Sequence, residues 1–210
     1  MNLWQMNPGK LFVSGGPIMW PILICSVWAL AVIIERLWFL SRIRIDADRF
    51  LRSVLEKVKQ RKIKEALSDC DATKSPIGQI LRAGILKEGR TRQEIKEAIE
   101  DAALYEVPLV EKNLNVLATI AHVSPLLGLL GTVTGMVRCF QTIQIKATSS
   151  HPLSPGDLAG GIWEALLTTV FGLVVAIPAF IAYNYLVSRV NGIILDMERA
   201  AAELVSLLTE

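Results

Sequence analysis

Three long apolar stretches divide the chain, and each is long enough to cross a membrane as a helix. They cover residues 11–34, 113–137 and 165–188. At about 1.5 Å of rise per residue, roughly 24 helical residues extend about 36 Å, which exceeds the hydrocarbon core of about 30 Å. Helices also satisfy every backbone group of an open chain at that depth. The pattern therefore predicts an all-α membrane protein with three transmembrane helices.

The polar segment between the first two stretches has the periodicity of solvated helices. Apolar side chains over residues 50–58 recur three and four positions apart, which places them on one helix face. Thr91 and Glu94 have the spacing of a capping box that opens a further helix. We therefore expect a helical region over residues 41–112.

The distribution of charge predicts how the chain is oriented in the membrane. With 52% hydrophobic residues the chain is too apolar to be disordered, and its net charge of +2 is too small to indicate nucleic-acid binding. Residues 41–112 contain 16 Lys and Arg, whereas segments 1–16 and 144–156 contain one each. The excess of positive charge marks the inner side. We therefore expect the N-terminus outside and the C-terminus inside.

Hydropathy, helix signals and charge together predict seven segments. Aromatic residues suited to the membrane interface frame the first span (Trp20, Trp38) and the third (Trp163, Tyr185). In chain order, the segments are a short outer N-terminus over 1–16, a first span over 17–40, an inner helical region over 41–112, a second span over 113–143, a short outer loop over 144–156, a third span over 157–188 and an inner C-terminal helix over 189–210.

The sequence contains no motif typical of an enzyme. It has no P-loop, no zinc-protease helix motif and no Rossmann glycine pattern. Its cysteines, Cys25, Cys70 and Cys139, form no CxxC pair, and we interpret them as small apolar filler. An intramembrane enzyme would need a nucleophile with a paired base, or two aspartates, at membrane depth, and none is visible. We therefore predict a non-enzymatic protein with no catalytic residue, cofactor or metal.

Small and hydroxyl residues form a narrow stripe along each of the last two spans. Such stripes mark a side that faces protein or water, because positions facing lipid need only be apolar. One reading is close helix packing, supported by the Gly131-x-x-x-Gly135 motif. The other is a cavity lining, which would require a ring of subunits or a partner helix, since three packed helices leave no path between them. The stripes consist of Ser124, Gly128, Thr132, Gly135 and Cys139, and of Gly161, Ala165, Thr168, Gly172, Ala176 and Ala179.

Few titratable residues lie in the predicted spans. Glu164 stands about one turn inside the third span, where a carboxylate faces water or a partner, or snorkels to a hydrated interface. Thr168 shares its helix face, whereas Thr169 lies about 140° away. For Arg138 we favour snorkelling to the outer interface, and for His122 a packing role over proton carriage. A proton relay needs a chain of such groups, so another chain would have to supply a further acid.

Two long motifs in these spans resemble signatures of the MotA/TolQ/ExbB proton channel family, and most closely its ExbB/TolQ branch. Residues 125–136 read PLLGLLGTVTGM and are similar to the pattern P-x-x-G-L-x-G-T-V-x-G-[IM]. Residues 161–178 read GIWEALLTTVFGLVVAIP and are similar to G-[IL]-x-E-A-L-x-x-T-x-x-G-L-x-x-A-I-P. Thr134 departs from the tryptophan that many members carry, which leaves the fine contacts with a partner helix open.

The resemblance implies a function and partners that composition does not show. It implies a pentamer whose second and third spans line a pore, in which single membrane helices of ExbD- or TolR-like subunits carry the proton-binding aspartate. The expected task is to energise a TonB-like protein for outer-membrane transport from the bacterial inner membrane. A TolQ-type stator acting on a TolA-like protein is the alternative within the family, and a passive membrane scaffold the alternative outside it. Nucleic acid is not an expected partner.

The same resemblance implies roles for individual residues. Thr132 and Thr169 match the family's pore threonines, Glu164 matches its glutamate, and Thr168 adds a hydroxyl where members often have a small residue. These four residues are the predicted proton pathway. The predicted packing and pore-face positions are Gly128, Gly131, Gly135, Gly172 and Pro178.

Overall fold

A computed structural model describes residues 8–43, 46–73, 75–148 and 154–209, and within these ranges the chain forms helices and no strand. The all-α fold class with three transmembrane helices is confirmed, because α2, α7 and α8 are each long and apolar enough to cross a membrane. The helices are α1 (Pro8–Ser14), α2 (Met19–Ile43), α3 (Ala47–Lys59), α4 (Ile63–Ala72), α5 (Pro76–Ile85), α6 (Arg92–Glu111), α7 (Leu114–Thr148) and α8 (Pro155–Leu208).

The two longest helices extend beyond the segments expected to cross the membrane. The 54 residues of α8 correspond to about 80 Å, well over the thickness of a hydrocarbon core. This helix is continuous through position 188, the boundary expected between the third span and the C-terminal helix. Similarly, α7 continues to Thr148, inside the expected outer loop, since residues 144–148 contain no glycine or proline to end it.

The chain forms two compact units. The first, here called the membrane unit, comprises Met1–Ile34 and Asn115–Asn184. The second, here called the polar unit, comprises Glu35–Leu114 and Tyr185–Glu210. Because α8 contributes to both, its apolar and its polar halves are stabilised by different sets of neighbours.

The polar unit has a hydrophobic core built from α3 to α6 and the end of α8. The apolar face expected over residues 50–58 is buried there, with Val54 fully inaccessible. Leu81 of α5, Ile95 of α6 and Leu204 of α8 are equally inaccessible. Cys70 also lies in this core, where burial raises the pKa of its thiol to about 11. At neutral pH it is therefore an inert apolar side chain, in keeping with its interpretation as filler.

The capping box predicted for α6 is present. The Thr91 hydroxyl accepts a hydrogen bond from the backbone N–H of Glu94, and the Glu94 carboxylate accepts one from the backbone N–H of Thr91 at 2.9 Å. The latter bond lowers the pKa of Glu94 below its usual value, because it favours the charged carboxylate. The box thus satisfies two donors at the helix start that would otherwise lack a partner.

Loss of this cap tests the contribution of α6 to the polar unit. We expect Thr91→Ala to lower the free energy of unfolding by about 1 kcal/mol, the usual cost of removing a capping hydroxyl. The stabilisation from Glu94 is present above its unfolded pKa and is lost as pH falls through the lower folded value. Thermal unfolding of both proteins across acidic and neutral pH measures the effect, which should be smaller in acid.

Ser75→Ala is the matched control for this prediction. Ser75 is the N-cap residue of α5, but its side chain makes no capping hydrogen bond. Its replacement should therefore lack the pH-dependent part of the effect. An equal pH dependence in both variants would contradict the role assigned to the Thr91 box.

A buried arginine secures the end of α6 in the polar unit. Arg36 is 2% exposed and donates a hydrogen bond to the carbonyl of Leu109 at 3.3 Å. It also pairs with Glu35, which accepts a second hydrogen bond from the side-chain amide of Asn113 at 2.9 Å. Asn113 has a φ of +62°, a conformation that asparagine tolerates better than most residues. Arg36 thus binds a backbone carbonyl in the last turn of α6, and Glu35 holds Asn113 in the turn that follows the helix.

Candidate functional site

The two stripes of small residues pack against each other along α7 and α8, and glycine permits their close approach. A Cβ atom built on Gly172 would lie 2.7 Å from the carbonyl oxygen of Ser124, and one on Gly135 would lie 2.7 Å from that of Gly161. A Cβ on Gly128 would lie 3.1 Å from the backbone of Thr168 and Thr169. These contacts are to backbone atoms, which cannot rotate away. Within one subunit, both stripes therefore serve close helix packing, the first of the two interpretations of the sequence.

The hydroxyl residues predicted for the proton pathway differ in exposure. Thr168 is fully buried, lies against Gly131, and donates to the carbonyl oxygen of Ala165 at 2.9 Å or that of Glu164 at 3.1 Å. Within the subunit it is thus a packing residue, and its place in a proton pathway stays a prediction. Thr169, by contrast, is only partly buried.

Thr132 and Thr169 are each partly exposed, and both hydroxyls donate to backbone carbonyls. The Thr169 hydroxyl donates to the carbonyl of Gly128 across the helix pair at 3.2 Å, and Thr132 donates to the carbonyl of Leu129 in its own helix at 2.6 Å. Each oxygen still has lone pairs that can accept a hydrogen bond from water or a partner acid. Both residues are therefore partly exposed in the subunit, and their place in a pore lining stays a prediction. Pro178 lies inside α8 and is exposed.

Glu164 forms an ion pair with Arg138 between α8 and α7. Nη1 of Arg138 lies 2.6 Å from both carboxylate oxygens. The Glu164 side chain is 12% exposed, whereas that of Arg138 is 49% exposed. The carboxylate is therefore held inside the subunit by a cation that itself reaches the surface.

A glycine turn covers the same carboxylate. Gly16 lies between α1 and α2 and has a φ of +72°, which L side chains rarely adopt. A Cβ atom built on Gly16 would overlap Oε1 of Glu164. Both the backbone conformation and the space at position 16 thus require glycine. The site around Glu164 is formed by the α1–α2 turn, α7 and α8.

The sequence analysis did not foresee the pair of Arg138 and Glu164. It favoured snorkelling for Arg138, and it considered no partner for Glu164 within the chain. The signal that could have revealed this pair is that the two opposite charges lie near the same end of two consecutive spans. His122 is exposed, with its ring edge-to-face to that of Phe180 at 6.3 Å between centroids. Its Nδ1 lies 2.7 Å from the carbonyl oxygen of Ala118, so it stands apart from the Glu164 site.

Comparison with known proteins identifies relatives over most of the chain. A family model described as the MotA/TolQ/ExbB proton channel family matches residues 72–199. The putative biopolymer transport protein ExbB-like 1 of Synechocystis sp. is 36% identical over 177 residues, which cover 84% of this chain and 69% of the relative. The Tol-Pal system protein TolQ of Haemophilus influenzae is 31% identical over 220 residues, which cover 97% and 94%. The biopolymer transport protein exbB1 of Vibrio cholerae is 31% identical over 172 residues, which cover 78% and 72%.

Proposed function

The chain belongs to the MotA/TolQ/ExbB proton channel family, and from that premise we propose that it is an ExbB-like motor subunit driven by the proton motive force. The observation that carries the proposal is the site around Glu164. An acidic side chain is held almost buried beside a helix pair on which Thr132 and Thr169 are partly exposed. Intramembrane carboxylates are costly and mark ion pathways.

The pore requires further chains. The subunit's own α7 and α8 touch along their glycine stripes, so no channel runs between them. We therefore propose a ring of copies, a pentamer by the family resemblance, with Thr132 and Thr169 lining its centre. An ExbD- or TolR-like helix inside the ring would supply the second acid that a proton relay needs. The polar unit would lie on the inner side of a bacterial inner membrane, with the N-terminus outside.

Threonine is well suited to such a lining. Its hydroxyl both donates and accepts hydrogen bonds, so it can hold water or a partner carboxylate. It carries no charge that would trap the proton. One elementary charge crossing 100 mV releases about 2.3 kcal/mol, which is comparable to a few weak hydrogen bonds. A motor that uses this energy needs contacts that break repeatedly.

Within the family, we propose that this protein energises a TonB-like protein for outer-membrane transport. Relatives named ExbB-like and relatives named TolQ both align with most of the chain. A TolQ-type role in an envelope system with a TolA-like protein is therefore the second candidate. Restoring TonB-dependent uptake in a strain lacking ExbB, but not envelope integrity in one lacking TolQ, would distinguish the two.

Proton flux tests the proposed function. We expect vesicles containing this protein together with an ExbD-like partner, and a TonB-like protein, to conduct protons, whereas vesicles with this protein alone should not. Thr169→Val keeps the shape of the side chain but removes the hydroxyl. Loss of one pore hydroxyl in every subunit of the ring should reduce flux at least about tenfold, since one hydrogen bond to a charged group is worth about 1.5–3 kcal/mol.

Thr119→Val is the matched control for this experiment. Thr119 is an exposed residue of α7 whose hydroxyl donates to the carbonyl of Asn115 in its own helix. Its replacement should leave flux unchanged. Undiminished flux in an intact Thr169→Val oligomer would contradict the assigned pore lining. A passive scaffold would show no partner-dependent flux in any variant.

A further inference from the structure

We propose that Arg138 is a positioning residue for Glu164, and that release of their ion pair is a step of the proton cycle. In the closed arrangement, the guanidinium holds the carboxylate beneath the Gly16 turn. In the open arrangement, Glu164 binds a proton and Arg138 leaves it. The inference rests on the proposed function, because it assigns a further residue to the same site.

The geometry of the pair supports a holding role. One nitrogen of Arg138 lies within hydrogen-bond distance of both carboxylate oxygens, so the carboxylate is fixed in direction. The Thr168 hydroxyl bonds the main-chain carbonyl of Glu164 and not its carboxylate. Within the described part of the chain, Arg138 is the charged group that faces Glu164, and the Gly16 turn brings no titratable side chain to it.

The difference in exposure makes the pair separable. Glu164 is enclosed by α7, α8 and the turn, so its charge depends on Arg138 for compensation. Arg138 is half exposed and has a long side chain, so it can extend to the interface without that carboxylate. Loss of the carboxylate charge would therefore release the arginine at little cost. Release of the arginine alone, by contrast, would leave a buried carboxylate charge without a compensating cation.

The step involves the transfer of one proton. A proton binds one carboxylate oxygen of Glu164, which becomes a neutral carboxylic acid. Arg138 keeps its own proton throughout, because guanidinium groups do not deprotonate in proteins. When the acid gives its proton to the next carrier, the carboxylate re-forms and Arg138 returns. No other bond forms or breaks.

The Gly16 turn provides a second way to disturb the closed arrangement. A methyl group at position 16 would occupy the place of Oε1, so Gly16→Ala must displace the carboxylate from its position beside Arg138. Gly89 is a control for the cost of the backbone conformation, since it also has a positive φ, +77°, but faces open space. Gly16→Ala should therefore weaken flux, whereas Gly89→Ala should not.

The main experiment combines proton flux with infrared spectroscopy of the intact complex with its ExbD-like partner. We compare Arg138→Gln, Arg138→Lys, Glu164→Gln and the double variant R138Q/E164Q. Arg189→Gln is the control for loss of one positive charge, because Arg189 bonds the Tyr185 hydroxyl of its own helix. The C=O stretch of a protonated Glu164 is obtained as the difference between variants with and without Glu164.

Arg138→Gln should lower flux about tenfold, and the band of protonated Glu164 should be stronger than in wild type, since the carboxylate has lost the cation that compensates its charge. Arg138→Lys should retain the charge and suppress that band, with partial flux, because lysine pairs as a point charge. The double variant should be no worse than Glu164→Gln alone, because Arg138 acts through Glu164. Arg189→Gln should match wild type.

Two results would overturn the inference. One is an assembled Arg138→Gln complex with wild-type flux and no protonated Glu164. The other is a double variant in which the two losses multiply, since Arg138 would then act independently. Absence of flux in the wild-type complex would instead count against the proposed function, and the infrared band would still report on the ion pair.

Discussion

Replacing Gly172 by leucine is expected to force α7 and α8 apart and to destabilise the membrane unit by about 3 kcal/mol. The position of any Cβ at Gly172 lies 2.7 Å from the carbonyl oxygen of Ser124 and 3.1 Å from Cα of Gly128. Since both are backbone atoms, the neighbouring helix must move as a whole. The thermal unfolding temperature in detergent, together with proton flux, measures the effect.

Gly192→Leu is the control for a glycine-to-leucine change on the same helix, in the part of α8 that belongs to the polar unit. Gly192 lies in the interior of α8, and nothing stands within 4 Å of its Cβ position. Leucine is a better helix former than glycine by roughly 1 kcal/mol, so this variant should be as stable as wild type or more stable. Similar unfolding temperatures for the two leucine variants would show that close contact at Gly172 does not hold the helix pair together.

Replacing Arg36 by leucine is expected to loosen the end of α6 and to cost the polar unit about 2–4 kcal/mol. The change removes the hydrogen bond to the carbonyl of Leu109, the pairing with Glu35 and the stacking of the guanidinium over Phe39, 4.7 Å from its ring centroid. Leucine fills part of the volume but binds no carbonyl. Chemical unfolding followed by helix content, and hydrogen exchange of α6, measure the loss.

Arg42→Leu is the control for Arg36→Leu. Arg42 lies on the same helix, is exposed, and stacks on Trp38 at 5.4 Å with no ion pair found among the described residues. Its replacement should cost less than about 1 kcal/mol. If both variants unfold alike and α6 keeps its protection, Arg36 does not secure the helix end.

Local patterns were sufficient to predict most elements of the fold. The three apolar stretches, the cap at Thr91 and the apolar face over residues 50–58 depend on contacts within a few residues or on the contrast between water and lipid. The family followed from two motifs whose spacing is a property of the chain itself. These features do not require knowledge of which helices become neighbours.

The partners of the charged residues could not be predicted in this way. Arg138 and Glu164 are 26 positions apart, and Arg36 and Leu109 are 73 apart. Whether they meet depends on the rotation of each helix about its axis, which for α7 and α8 is restricted by the close glycine contacts. The same rotation buries Thr168 completely and leaves Thr169, its neighbour, partly accessible. An isolated sequence offers the residue types at such a site, but not the direction in which they point.

The sequence by itself thus determined the three helices long and apolar enough to cross a membrane, and the family, because hydropathy and motif spacing are properties of neighbouring residues. Only the tertiary structure decided that Gly16 covers Glu164 and that Arg138 neutralises it. Those contacts arise where three separate parts of the chain are packed within a few ångströms. At that distance, one added Cβ atom or one missing charge changes the energy of the site. The sequence pattern does not show which residues come this close.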